Sequence, residues 1–322
     1  EEMAAQLNAT AIRNKYLPEL IQAINHLPTR QEQISSGNTG RATQNADRAI
    51  IAKTYLYEKD YANCLVYTHQ IIDSKDNDLT TPYAEMFWEK NEFGPESIWE
   101  INADFKPDQN VSIIGDGNQW CMMNGVRGFP NLGWGHNAPS DDLMDDYEAN
   151  DPRFDATILE NGQSIDGDVI VASDYKYFNK KTYCPKSERS LYGRADWCYG
   201  YWWNPRIIRY AEVLLMHAEA ACETNDLDEA KDKLEMVRAR ARSGLSVLPK
   251  ITTSDKDELR EKIRHERRIE LALEFERYFD LVRWGIAKDK IANFVVGKHE
   301  LYPLPQTEID KSNGKLKQNP NY

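Results

Sequence analysis

Three glutamates four residues apart, Glu266, Glu270 and Glu274, are the first groups in this chain that could do chemistry. A pair of carboxylates can hydrolyse a glycosidic bond when the two are held at a set separation. On a helix this row shares one face, where each like-charged pair repels by roughly 0.2–0.5 kcal/mol. Arg267, Arg268 and Arg277 flank the row, and Arg209, Arg238 and Arg240 in other segments can reach it. The pattern therefore points to ionised, paired carboxylates that tie helices together, not to a catalytic acid. The second set is aromatic. Sugar rings present apolar C–H faces that pack on Trp and Tyr, while their hydroxyls need amide, carboxylate or guanidinium partners. Trp120 with Asn124, then Arg127, Trp134, and the group Trp197, Tyr199, Trp202 and Trp203 supply both kinds of group. These eight are the expected ligand-binding residues. Trp202 and Trp197 rank first, Trp120 next and Trp134 last, because Gly133 and Gly135 around Trp134 read as a tight turn. The competing reading is that these aromatics pin long loops onto the body.

Other chemistries find less support. The six His are scattered, and His265-Glu266 lacks the second His of a zinc-binding helix. The acidic run Asp73–Asp78 lacks the Gly and terminal Glu of an EF-hand loop and reads as a solvated turn. Gly115-Asp116-Gly117 is too short a pattern to cradle phosphate. No Ser–His–Asp or Cys–His arrangement is legible, so no catalytic residue, metal or cofactor is expected. Among five Cys there is no C-x-x-C spacing, and only Cys184 and Cys198, flanking a hairpin-like loop, are a candidate pair. A net charge of −12 argues against nucleic acid, whose phosphates need a basic face. No apolar run approaches the ~20 residues of a membrane span, and the opening stretch does not read as a signal peptide.

The elements that must position these groups are mostly helical. The stretch 258–284 reads as one helix, with Leu259, Ile263, Ile269, Leu273 and Val282 at helical spacing, Ser254 as N-cap and no Gly or Pro before Gly285. Residues 1–27 read as an amphipathic helix broken at Pro18, followed by a polar loop at 29–40. Residues 36–75 and 206–242 each read as a tetratricopeptide-like helix pair. Aligning Asp60 with Asp226 places Cys64 on Ala230 and Ile71 on Val237. Between the pairs lies an insertion, 80–204, rich in Gly, Asn, Asp and aromatics. It has a strand at 96–101, a helix from Asp141 ending before Asp151-Pro152, and strands within 168–183. An irregular stretch of this length in a compact domain is usually functional, which makes the insertion the proposed ligand site.

The run ERRIELALEFERYFDLVRWG (266–285), the run RIIRYAEVLLMHAEA (206–220) and the tail LYPLPQTEIDKSNGKLKQNPNY (301–322) together resemble the SusD/RagB family of outer-membrane nutrient-binding lipoproteins. In the tail, Asn321 stands where that family usually has Gly. The resemblance implies a mainly α fold in which tetratricopeptide-like helix pairs carry a long irregular insertion with a few short strands. It implies one SusD-like domain over 1–322, lacking the family's N-terminal part, with the signature helix and tail at 254–322. It reads Trp99 and Trp284 as core residues of family motifs. It also implies the function. The protein is expected to capture an oligosaccharide or polysaccharide at the outer face of an outer membrane, lipid-anchored in its full-length form. The glycan would pass to a SusC-like TonB-dependent transporter, without any bond being made or broken. Two rivals are carried forward: a tetratricopeptide scaffold that binds peptide or protein partners, and a glycoside hydrolase.

Overall fold

A computed structural model describes residues 7–103, 119–127, 133–171, 175–191 and 202–322. The chain, expected as one domain, divides into two compact units: Ile24–Glu274, and Glu1–Ala23 together with Phe275–Tyr322. The smaller unit opens with α1 (Ala9–Ala23), which runs straight through Pro18 instead of breaking there. In the larger unit, part of the expected 29–40 loop is a helix, α2 (Arg30–Ser36). Thr29 and Glu32 form a reciprocal capping box, and Gly37 closes the helix at φ 70°. That T-x-x-E signal stands in the sequence.

Two helix pairs make the body of the larger unit. The first is α3 (Gln44–Tyr57) with α4 (Tyr61–Ser74). Its turn places Lys59 at φ 59° and caps α4 with Asp60, whose carboxylate accepts from the Asn63 N–H. The insertion begins with β1 (Ser97–Glu100) and continues through α5 (Trp120–Asn124), α6 (Asp141–Asp145), α7 (Arg153–Thr157), β2 (Ile158–Glu160), β3 (Ser164–Ile165), β4 (Asp168–Val169), β5 (Tyr177–Asn179) and α8 (Lys186–Leu191). It ends in β6 (Arg206–Arg209), which pairs antiparallel with β1, Ser97 opposite Arg209. β2 pairs with β5 and β3 with β4, each as a two-stranded antiparallel ribbon. The helix expected from Asp141 stops at Asp145; further on, Asp151 accepts from the Arg153 N–H and guanidinium at the start of α7.

The β1–β6 ribbon gathers the two ends of the insertion. The second pair, α9 (Tyr210–Glu223) and α10 (Leu227–Arg242), therefore packs directly on the first, with α9 against α4. The stacking is interrupted in sequence but not in space. Asn225 at φ 70° and the Asp226 cap repeat the Lys59–Asp60 turn. Cys64 and Ala230, and Ile71 and Val237, are all fully buried in one core with Leu56, Val213, Leu234, Leu259 and Ile263. α9 is buried nearly all round, so its polar groups need partners. Glu212 takes Lys53 at 2.9 Å, and His217 Nδ1 lies 2.9 Å from Thr68 Oγ1. Burial, ahead of the neighbouring His69, pushes the His217 imidazole down to about 4.

The signature helix departs from expectation. α11 (Lys256–Glu270), capped by Asp255 instead of Ser254, ends at Glu270. A turn then carries Leu273 to φ 64° and Phe275 to φ 71° before α12 (Arg277–Arg283). Left-handed Leu and Phe cost roughly 1–2 kcal/mol each, and nothing in their types announces the break. Its cause is tertiary. The last helical carbonyl, Glu270 O, accepts from Lys181 Nζ at 3.0 Å, Arg209 Nη2 at 3.1 Å and Tyr83 Oη at 3.3 Å. Cations at a helix C-terminus are favoured by its dipole. Leu273 O takes the Asn137 amide at 2.9 Å.

The three glutamates sit at the centre of this arrangement. Glu266 pairs with Arg153 and, at 2.8 Å, with Arg238. Glu270 holds Arg153 at 3.2 Å, Arg209 at 3.1 Å, and Arg240. Glu274 grips Arg209 through two contacts of 2.8 Å and Lys181 at 2.6 Å. Glu96 of the insertion closes the set on Arg209 and Arg240. Arg268 reaches outward to Asp142 and Asp146. Burial alone would raise Glu270, but Arg240, Arg209 and Arg153 outweigh it and hold the carboxyl at about 2. Arg209 and Lys181 likewise keep Glu274 below its usual range against the effect of burial.

In the smaller unit α12 is followed by α13 (Ala287–Lys290) and α14 (Gln306–Lys311). The tail is tied back by side-chain amides. Gln318 exchanges bonds with Leu304 N and O at 2.8 and 2.9 Å, and Asn321 donates to Gly297 O at 2.8 Å. Asn321 sits at φ 66°, a left-handed position that Asn tolerates better than most residues other than Gly.

Two outcomes follow for the network. Glu270→Ala takes one carboxylate from Arg153, Arg209 and Arg240, leaving Glu266, Glu274 and Glu96 to answer three cations, and losing one member of a buried ionic set costs up to about 3–5 kcal/mol; chemical denaturation reads this directly. The depressed carboxyls also set the acid limb. Their folded pKa lies below the unfolded value of roughly 4.3, so their stabilisation is intact above that pH. It is lost as pH falls toward the value of about 2 held by Glu270. Read as the difference in stability between the protein and Glu270→Ala, so that groups such as His217 and Glu92 cancel, this contribution should be level from neutrality to mild acid and fall only below the ordinary carboxylate range.

Candidate ligand-binding site

The expected site residues separate into three groups. Trp197 and Tyr199 lie outside the described residues, as do Cys198, Asp116 and Asp196. Trp202 and Trp203 are 2% and 3% exposed, in a cluster with Cys121 and Cys184. This corrects the ranking that put Trp202 first: a ring enclosed on this scale has no face to offer a sugar. Asn124 is also buried, its amide donating to Trp120 O at 2.8 Å, so it closes the α5 turn. Trp120 is half-buried and packs on the same cluster. These four residues support the loop-pinning reading.

Trp134 and Arg127 form the third group. The chain after Gly133 runs back along α5, with Trp134 N–H donating to Met122 O at 2.6 Å, Gly135 N–H to Gly125 O at 2.9 Å and His136 N–H to Met123 O at 2.9 Å. The approach is so close that a Cβ on Gly133 would meet Met122 O at 2.3 Å. Gly135, at φ 71°, brings Arg127 Cβ within 3.0 Å of where its own Cβ would stand. The tight turn inferred from these glycines thus faces Trp134 outward instead of hiding it. Trp134 is 38% exposed with the His136 ring edge-on at 5.8 Å, beside exposed Met123 and Arg127. Among the described candidates Trp134 is the most exposed tryptophan, and Arg127 Cβ lies close to the adjoining Gly135. Trp99 also departs from its expected core role: it is the outward residue of β1, 39% exposed.

A concave feature was not anticipated. Phe87, Trp88, Ile165, Asp166, Lys180 and Tyr183 line a cleft of about 290 Å³. Trp88 is fixed by Arg206, which donates to its carbonyl at 2.9 Å, and Lys90 caps the ring at 4.5 Å. Tyr183 donates to Asp168 at 2.9 Å. The signal available in the sequence was an aromatic pair within a polar stretch, Met86–Glu92, ahead of β1.

The carboxylates have structural duties. Glu92 and Glu100 both bond Asn204, Glu92 through the backbone N–H at 2.8 Å and Glu100 through the amide at 3.0 Å. Arg206 stands 3.6 Å from one and 3.5 Å from the other. Burial, opposed chiefly by Arg206, pushes Glu92 up to about 7. Glu100 also accepts the Phe93 N–H at 2.8 Å, so this pair holds the base of the β1–β6 ribbon together.

The chain is mainly helical, with a few two-stranded ribbons and an exposed tryptophan on the insertion. The sequence profile of the SusD family matches residues 95–322, and the chain belongs to that family. It is 29% identical over 238 residues to SusD-like protein P2 of Formosa agariphila, covering 66% of this chain and 46% of that protein. It is 26% identical over 304 residues to a SusD-like protein of Bacteroides ovatus, covering 84% and 52%. The chain therefore spans about half the length of these relatives. In structure it resembles surface glycan-binding protein A of Bacteroides thetaiotaomicron, with a TM-score of 0.79 and 28% identity over 98% of this chain and 71% of that one. The same protein solved with laminarihexaose aligns at a TM-score of 0.78, with 27% identity over 99% and 72%. No helix among the described residues is long and apolar enough to cross a membrane.

Burial and exposure give the two kinds of Trp opposite behaviour. Trp202→Ala removes a fully enclosed ring and should cost about 3–5 kcal/mol of stability. Trp134→Ala should leave the melting temperature within a degree or two, since exposed substitutions away from special features stay within about ±0.5 kcal/mol. Circular dichroism melts of the two variants side by side check this.

Proposed function

We propose that this chain is part of a cell-surface glycan-binding protein that captures an oligosaccharide or polysaccharide and passes it to a SusC-like TonB-dependent transporter. In its full-length form it would be lipid-anchored at the outer membrane. The reading is carried by the likeness, over nearly the whole chain, to a surface glycan-binding protein solved with laminarihexaose. Exposed Trp134 supports it as a stacking platform, and the Trp88–Tyr183 cleft as a concave surface lined by aromatic rings. The ligand residues proposed within the described surface are Trp134, Arg127 and Trp88. Trp120, Trp197 and Tyr199 keep their place as candidates.

The chain binds and does not cleave in this reading. The signature glutamates are locked to Arg and Lys, and the Glu92–Glu100 pair is spent on backbone and amide donors. A glycoside hydrolase would need one carboxylate free to protonate a leaving group. The peptide-scaffold reading draws no such support from the helix pairs, whose α4 and α9 faces are consumed in packing on each other.

Calorimetry against laminarihexaose and a panel of other soluble glycans tests the proposal. One family of glycans should bind, with no new reducing ends after prolonged incubation. Stacking on an aromatic face contributes about 0.5–1.5 kcal/mol beyond area burial, so Trp134→Ala should weaken affinity up to roughly tenfold. Steady release of reducing sugar, or a panel with no binder, would overturn the reading.

A further inference from the structure

The fold assembles a group that the sequence keeps apart. His69 on α4, His217 on α9 and Glu229 on α10 bring one donor atom each to within 4.8 Å of one another. His217 and Thr68 are 149 residues apart, so no local spacing announces the cluster.

His217 is held at Nδ1 by the Thr68 hydroxyl, 2.9 Å away, whose oxygen also lies 2.9 Å from Cys64 O. Its Nε2 is buried and faces Glu229 Oε1 at 3.1 Å. With the ring proton on Nδ1, toward Thr68, Nε2 presents a lone pair to a metal ion. Lys233 Nζ stands 3.6 Å from the same carboxylate oxygen.

We propose that His69, His217 and Glu229 form a binding site for a divalent transition metal ion of the zinc type. Two ligands at about 2.0–2.1 Å from a tetrahedral Zn²⁺ stand about 3.3 Å apart. The His217–Glu229 separation of 3.1 Å is already near that edge. His69 Nε2 lies 3.7 Å from Glu229 Oε1, its ring 4.4 Å from that of His217 and nearly perpendicular to it. Its side chain is 42% exposed, so rotation closes the remaining gap and gives the ion an entry path. The Nδ1–H bond to Thr68 is the outer-shell contact that orients a metal-binding imidazole. Two His and one carboxylate leave a fourth position for water. The ion would clip α4 to α9 and α10, joining the two helix pairs across the insertion.

Chelator-treated protein titrated with Zn²⁺ by calorimetry, with Co²⁺ as spectroscopic probe, tests this. One equivalent of Zn²⁺ should bind and raise the melting temperature, and Co²⁺ should give the intense visible bands of a tetrahedral centre. His69→Ala and Glu229→Gln, both at partly exposed positions, should each weaken Zn²⁺ at least tenfold while leaving the metal-free melting temperature nearly unchanged. Absence of stoichiometric Zn²⁺ binding, or binding that survives both substitutions, would overturn the proposal.

Discussion

The structure of the larger unit depends on one buried ionic constraint. Glu266, Glu270 and Glu274 present carboxylates that must be neutralised, and each partner comes from a different part of the chain. Arg153 and Lys181 come from the insertion, Arg209 from the strand that closes it, and Arg238 and Arg240 from the second helix pair. An unpaired ion in this interior would cost several kcal/mol, so the pieces can assemble in one arrangement only. The irregular insertion, which has small apolar clusters of its own, is thereby tied to the helical body. The same constraint ends α11 at Glu270: the cations that answer its carboxylate also cap its carbonyl, and the chain turns there so that Glu274 can reach Arg209.

That constraint explains what was legible in the sequence. The spacing of the glutamates, and the arginines at 209, 238 and 240, announced an ion network, because like charges four apart on a helix demand an answer. Arg153, Lys181 and Glu96 were not foreseen, since nothing local ties them to a helix a hundred residues away. The break after Glu270 was invisible for the same reason: Leu273 and Phe275 are ordinary helix residues forced left-handed by tertiary contacts. The two helix pairs were legible because their Asp caps and small core residues are local features. Their direct stacking was not, because the β1–β6 pairing that makes it possible joins strands a hundred residues apart.

Aromatic residues were the weaker guide. Residue type does not distinguish a ring that pins a loop from a ring that is displayed: Trp202 is 2% exposed and Trp134 38%. The glycines beside Trp134 were read as a tight turn, and the structure has the backbone there lying against α5 with the indole partly exposed. Scattered histidines were uninformative in the same way, since stacking of the helix pairs, not sequence spacing, places His69 on His217.

The central claim is that Glu270 and Glu274 are scaffold and stay ionised through the working pH range. The direct measurement is a carbon-13 NMR titration of the glutamate side-chain carboxyls, with the Glu270 resonance assigned by its loss in Glu270→Gln. The account predicts that this resonance stays in its ionised position down to strong acid, near the value of about 2 set by Arg240, Arg209 and Arg153. A Glu270 carboxyl that instead takes up its proton near neutrality would be a carboxylic acid poised for proton transfer, and would contradict the scaffold reading.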